Sequence, residues 1–126
     1  MRQISVYVQD NENQVERFIS QTNEKIKRKL KTQLEYICDE RNGFIEPYVK
    51  HFSIEKYRQF YELRVKASGT MIRIIFIENK GEILLLYAFY KRDRKDTEKA
   101  LECALKIKNA ITSENSTVQK RQLVIA

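Results

Sequence analysis

The chain has 126 residues, enough for one domain with a modest core, and 24 Lys+Arg against 17 Asp+Glu leave it at a formal +7. With 33% charged and 42% hydrophobic residues it is no disordered chain, and three Gly, one Pro and no Trp exclude collagen-like or Pro-rich sequence. Two cysteines, Cys38 and Cys103, make neither a disulfide framework nor a zinc cluster, and the longest apolar stretch, Ile83 to Tyr90, is eight residues, too short to span a bilayer.

Ile4, Val6 and Val8 alternate with Ser5, Tyr7 and Gln9, the period of a half-buried strand. Asp10-Asn11 offers a turn and a helix N-cap. Val15, Phe18, Ile19, Thr22, Ile26, Leu30, Leu34, Ile37 and Cys38 then recur at three- and four-residue steps. A break near Thr22-Asn23 divides them into a short helix and a longer one, which Asn42-Gly43 closes through a left-handed glycine. Pro47 belongs to an irregular connection, where its missing N–H does no harm. Tyr57 to Val65, Thr70 to Glu78 and Glu82 to Tyr90 are β-rich runs separated by Ser68-Gly69 and Asn79-Lys80-Gly81, the pattern of an antiparallel meander. Asp96 is placed to cap a last helix whose apolar face holds Ala100, Leu101, Ala104, Leu105, the Lys108 stem and Ile111. Residues 113–126 form a tail, either a strand added to a sheet edge or a partner contact, behind a single domain over residues 1–112.

The expected fold is α+β in the order β-α-α-β-β-β-α: a small antiparallel sheet with two N-terminal helices on one face and one C-terminal helix. The first strand must join the meander, because alone it buries nothing. Met1-Arg2-Gln3-Ile4 enters that strand without an apolar leader, so a cytoplasmic setting with no membrane partner is expected.

Cations gather at the strand ends: Arg64 after Tyr61-Glu62-Leu63, Arg73 within Met71 to Phe76, and Lys91, Arg92 and Arg94 after Tyr90. Antiparallel neighbours can bring them to one concave face, where guanidinium forks suit a phosphate. The plain alternative is surface pairing of Arg64 with Glu62 and of Arg92 with Asp93, worth little to stability. A net +7 points to an anionic partner in the first case and serves solubility in the second. Lys25, Lys27, Arg28, Lys29 and Lys31 on the long helix divide the same way, between a grip on RNA and a solvated face. His51, the only His, titrates in the useful range for a general base but also suits an exposed loop. Tyr87 and Tyr90 can stack on an unpaired base, although alternation sends them to opposite faces, so at least one belongs to the core. Cys38 and Cys103 lie on or beside apolar stripes and are expected as small buried hydrophobes.

Tyr61-Glu62-Leu63-Arg64, Ile72-Arg73-Ile74-Ile75-Phe76 and Phe89-Tyr90-Lys91-Arg92, in this order and spacing, resemble the RelE/ParE superfamily of bacterial toxins, most closely its HigB-like, phage-associated branch. Glu46-Pro47-Tyr48-Val49-Lys50 resembles that family's Pro-x-x-Lys connection, and the likeness runs from about Glu46 to Ala110. It implies the toxin of a type II toxin–antitoxin pair, a metal- and cofactor-independent endoribonuclease that cuts mRNA on the ribosome. Its partner would be an antitoxin of helix-turn-helix type, through which alone it meets operator DNA. That antitoxin would lay an acidic or apolar segment over the cationic face, wedge against the last helix, or use Leu123-Val124-Ile125.

By matching positions, Arg73 and Arg92 would hold the scissile phosphate, with Lys91 in support; His51, as the only His, is the candidate base on its chemistry and not on a family position. Arg64, Arg94, Lys50 and Tyr90 would grip neighbouring RNA. The chain departs from the pattern at Glu62, where many nucleases of this type carry Lys, and at Thr97, Glu98 and Ala100, where an aromatic, a Pro or a Glu is common. The alternatives are a ParE-like inhibitor of DNA gyrase and an inactive relative that only binds a partner.

Overall fold

A computed structural model describes residues 1–112 and 118–123. Its elements are β1 (Gln3–Gln9), α1 (Gln14–Ser20), α2 (Glu24–Cys38), β2 (Val49–His51), β3 (Tyr61–Ala67), β4 (Thr70–Asn79), β5 (Glu82–Tyr90), α3 (Arg94–Thr112) and β6 (Val118–Gln122), with a 3₁₀ turn at Glu55–Tyr57. The expected α+β order is present, and the sheet is larger than expected, six strands in the order β2-β3-β4-β5-β1-β6. β1 does join the meander, but parallel to β5, so the sheet is mixed. Alternation decides which face each residue takes. It does not set strand direction, and no hairpin links β1 to β5.

Two cores sit on opposite faces. Val15 and Ile19 of α1 and Ile26, Leu30, Leu34 and Ile37 of α2 pack on Ile4, Val6, Leu63, Val65, Ile72 and Ile74. Ala100, Leu101 and Ala104 of α3 pack on Ile75, Leu84, Leu86 and Phe89 from the other side. Coverage on both faces explains why β4 and β5 carry nearly continuous apolar runs. A register shift between Ile75 and Phe76 keeps each run on its proper face: Ile75 meets Tyr87, and Phe76 meets Leu85.

Local chemistry sets the boundaries, and in places corrects the sequence reading. Asp10 and Asn11 take positive φ and make the turn, while the cap of α1 is Asn13, whose Oδ1 accepts from the Glu16 N–H at 3.0 Å. Asn23 caps α2 through the Ile26 N–H at 2.9 Å, so the break at Thr22-Asn23 is real. α2 stops at Cys38 with Asp39 extended, before Asn42-Gly43, and Gly43 is not left-handed. The helix needs no glycine there because Arg2 reaches its last carbonyls: the Arg2 amide donates to Cys38 O and Nη1 to Ile37 O. Asp93, not Asp96, caps α3. Its Oδ1 accepts from the Lys95 and Asp96 N–H groups, and Asp96 Oδ2 accepts back from the N–H groups of Arg92 and Asp93, a reciprocal capping box.

The meander turns are two-residue loops, Ser68-Gly69 and Lys80-Gly81, with φ positive at all four residues, the twist that closes tight hairpins. β3 begins at Tyr61 rather than Tyr57, because Glu55–Tyr57 forms the 3₁₀ turn and Phe60 is buried after it. β2 was not legible, since three residues carry no period. β6, from the expected tail, lies antiparallel on β1 with Lys120 Nζ 2.9 Å from Glu82 Oε1 and Arg121 paired with Glu16. Val124 and Ile125 lie outside the described residues.

β1 and β5 pair only from Gln3↔Glu82 to Ser5↔Leu84 and then diverge. The Gln14 side chain replaces the missing strand: its Nε2 donates to Ala88 O at 2.7 Å and its Oε1 accepts from the Ala88 N–H at 2.8 Å. Among the described residues no helix is long and apolar enough to cross a membrane.

Candidate nucleic-acid interface

β2 pairs with β3 only from Val49↔Leu63 to His51↔Tyr61, so the later half of β3 has no ladder neighbour on that side. Next to this open edge lie two adjoining cavities of about 300 and about 550 Å³. Arg64, Lys66, Met71, Arg73, Tyr48 and, from α2, Lys29 and Gln33 line the smaller one. Lys66, Met71, Gly69, Tyr90, Lys91 and Arg92 line the larger, with Ile26 of α2. Lys66 and Met71 are common to both. The two cavities therefore form one groove around the β3–β4 hairpin, and among the described residues its lining carries six basic side chains and no acidic one.

The strands fix this arrangement. Arg64 and Arg73 are register partners across β3 and β4, as are Lys66 and Met71. Lys91 follows β5, and its N–H donates to Met71 O at 2.9 Å, which holds the Lys91-Arg92 step against β4. The Arg92 N–H is tied to Asp96 Oδ2 at 2.8 Å, so the α3 capping box also places Arg92. Those two N–H groups, of Arg92 first and Asp93 second, hold the Asp96 carboxyl below the usual range.

Beneath the groove lies Glu62, fully buried. Its Oε1 accepts from Arg64 Nε at 3.2 Å and lies 3.6 Å from Arg73 Nε, while Oε2 has no hydrogen-bond partner among the described residues. Arg73 is 9% exposed. Its Nη1 donates to Ile72 O at 3.2 Å and its Nη2 lies 3.9 Å from Met71 Sδ. Burial pushes the Arg73 guanidinium below its usual range, the Glu62 carboxylate opposes this, and Arg64 adds to the lowering. Arg64 also approaches Glu46 at 3.9 Å.

The expected surface pairs are thus half present. Arg64 does pair with Glu62, but in the interior. Asp93 spends its carboxylate on the cap of α3, and among the described residues no carboxylate pairs with Lys29, Lys66, Lys91 or Arg92.

The structure brings Arg64, Arg73, Lys91, Arg92 and Tyr90 to one groove. Tyr90 is 37% exposed, with its ring 4.7 Å from that of Phe18. Tyr87 is the tyrosine that goes to the core; burial pushes its hydroxyl up, and Cys103 beside it adds to the shift. His51 does not join the groove. It sits opposite Tyr61 at the other end of β3, stacked on that ring at 4.7 Å with Nε2 on the Arg58 carbonyl. Three residues of strand from Tyr61 to Arg64 amount to roughly 10 Å. Lys50 lies over the Phe52 ring at 5.5 Å, and Arg94 opens α3 as an exposed residue.

Of the α2 cations, Lys29 enters the groove wall, Lys27 pairs with Glu24 at 3.6 Å, and Lys25, Arg28 and Lys31 are exposed. Cys38 and Cys103 are half-buried, and burial, with Glu35 nearby, raises the Cys38 thiol. Ala100 is buried in the second core, where a Glu would lack solvation. Sequence reading missed Lys66 and Met71 as the shared wall. The signal was there, because Lys66 is two residues from Arg64 and so on its face of the strand. Among the described residues no three His, Cys, Asp or Glu side chains are grouped to hold a metal ion.

The family model described as "Phage derived protein Gp49-like (DUF891)" matches residues 17–109, well over half of the chain and every residue of the groove. No curated protein and no solved structure gives a significant match.

Proposed function

The chain belongs to the Gp49-like family of phage-derived proteins, toxins of the RelE superfamily, and from that premise we propose that it is an mRNA-cutting endoribonuclease of the HigB-like branch. A family of toxins implies a cognate antitoxin as partner. We place the ribosome and its bound mRNA on the substrate side, and an antitoxin of helix-turn-helix type on the silencing side.

One observation carries the reading: the groove around the β3–β4 hairpin has six basic side chains and no acidic one in its described lining. A polyanion is the ligand that such a lining favours. RNA brings its own nucleophile, so the reaction asks the protein mainly for alignment and charge stabilisation. The ribose 2′-oxygen attacks the adjacent phosphorus, the bond to the 5′-oxygen breaks, and the products are a 2′,3′-cyclic phosphate and a 5′-hydroxyl. The proton lost from the 2′-hydroxyl is balanced by the one gained at the 5′-oxygen.

In this reading Arg73 and Arg92 hold the non-bridging oxygens, where negative charge grows. Lys91, next to Arg92, stabilises the leaving 5′-oxygen. Arg64, Lys66 and Arg94 take flanking phosphates, and Tyr90 stacks on a base. His51 and Lys50 are left out of the reacting set, because their rings and charges are engaged elsewhere.

The test is induction of the wild type and of an Arg73→Ala, Arg92→Ala double variant in cells without the antitoxin, with growth followed and transcript ends mapped. Growth arrest with new 5′-hydroxyl mRNA ends for the wild type alone supports the reading. Arrest without new ends shifts it to a gyrase inhibitor, and folded protein that causes no arrest leaves only a binding relative.

A further inference from the structure

We propose that Glu62 is a positioning residue for phosphate binding, a buried carboxylate that holds Arg64 and Arg73 by their roots and leaves their tips to the RNA; the proposal rests on the nuclease reading of the groove. Arg64 and Arg73 stand opposite each other on one face of adjacent strands, where like charges repel. Glu62 lies two residues before Arg64 on that face. A single oxygen, Oε1, lies 3.2 Å from Arg64 Nε and 3.6 Å from Arg73 Nε.

Oε1 accepts a hydrogen bond from Arg64 Nε, whereas Arg73 Nε makes no hydrogen bond among the described residues and approaches the same oxygen as an ion pair, so both guanidinium groups turn their Nε edges toward the carboxylate. For Arg73 the terminal nitrogens reach the Ile72 carbonyl and Met71 Sδ, and Met71 is the wall that both cavities share. The burial matters for the same reason. An exposed carboxylate would compete with phosphate for the arginines, whereas Glu62, with its side chain 1% exposed, offers an incoming anion no surface. A fully buried acid is costly without cationic partners, so the carboxylate and the two arginines constrain one another.

The proposal separates binding from cleavage. Glu62→Gln removes a negative charge from beneath the groove, so affinity for RNA should stay the same or rise, while misplaced arginines slow the chemistry. Two measurements test this on the full chain: cutting of a defined mRNA in a translating cell-free extract, and binding of a short RNA bearing a 2′-deoxynucleotide at the mapped cut. We expect Glu62→Gln to cut ~10- to 100-fold more slowly than the wild type with binding no weaker. Glu62→Asp, which keeps the charge but withdraws it, should lie between the two.

Glu62→Gln cutting at the wild-type rate overturns the proposal, and so does a parallel loss of binding and cutting, the mark of a merely structural role. If Glu62→Gln fails to fold, Glu62→Asp decides alone: slower cutting with unchanged binding supports positioning, and a wild-type rate overturns it. A wild type that makes no cut removes the nuclease reading and this proposal together, an outcome distinct from a wild type and a variant that cut equally.

Discussion

Arg64 and Arg73 face one another across β3 and β4, and the Nε atoms of both lie within 3.6 Å of one buried oxygen, Oε1 of Glu62. Two cations at neighbouring strand positions would ordinarily splay apart. Here the shared carboxylate keeps them side by side under an open edge of the sheet, and the functional predictions start from that pair.

Arg73→Lys keeps the charge but loses the planar fork and the Nε that lies against Glu62. We expect cleavage to fall ~100-fold, the scale for removing one preorganised donor from a developing charge, with a smaller loss in RNA affinity. Single-turnover formation of the new 5′-end measures it. A rate within a few-fold of the wild type would place the phosphate elsewhere.

Lys66 is exposed, has no acidic partner among the described residues and lines both cavities. Lys66→Ala should weaken binding of a non-cleavable RNA and flatten the dependence of log affinity on log salt by ~0.7, the contribution of one single-strand phosphate contact. Its melting temperature should match the wild type. Anisotropy titrations across a range of KCl concentrations read the slope, and an unchanged slope would take Lys66 out of the interface.

Gln14 stands in for a strand where β1 leaves β5, bonding both polar backbone groups of Ala88. Gln14→Ala strands a buried N–H and C=O and should destabilise the fold by about 1–3 kcal/mol. Urea unfolding tests this, and a loss well under that range would mean water replaces the amide without cost.

Asp96 links stability to pH. Its carboxyl is held below the usual value by the N–H groups of Arg92 and Asp93, so the charged form is favoured when folded. That stabilisation is present above the ordinary Asp value of about 3.9 and is lost as pH falls through the lower folded value. Asp96→Ala should therefore melt below the wild type near neutral pH, and the difference should close in acid below about pH 4. A gap that persists unchanged at low pH would mean the cap acts through packing rather than charge.

Much of the fold was legible because period and turn chemistry are local. The two-residue loops Ser68-Gly69 and Lys80-Gly81 and the break at Asn23 follow from residues a few positions apart. Caps were less legible. Asp93 and Asp96 both suit the start of α3, and only the direction of their hydrogen bonds separates cap from partner. The end of α2 was misplaced for a related reason, since Arg2, distant in sequence, supplies what a left-handed glycine otherwise would.

The sequence by itself determined which residue types were available and which strand face each would take: Arg64 and Lys66 together, Arg73 with Ile75, and Tyr90 opposite Tyr87. Alternation at period two dictates that much. Only the tertiary structure decided that Glu62 lies beneath the arginines rather than beside them in solvent, that Lys66 and Met71 join two cavities, and that His51 stands at the far end of β3. Burial and convergence depend on which strand ends early and which helix covers which face, and these follow from packing between segments far apart in the chain.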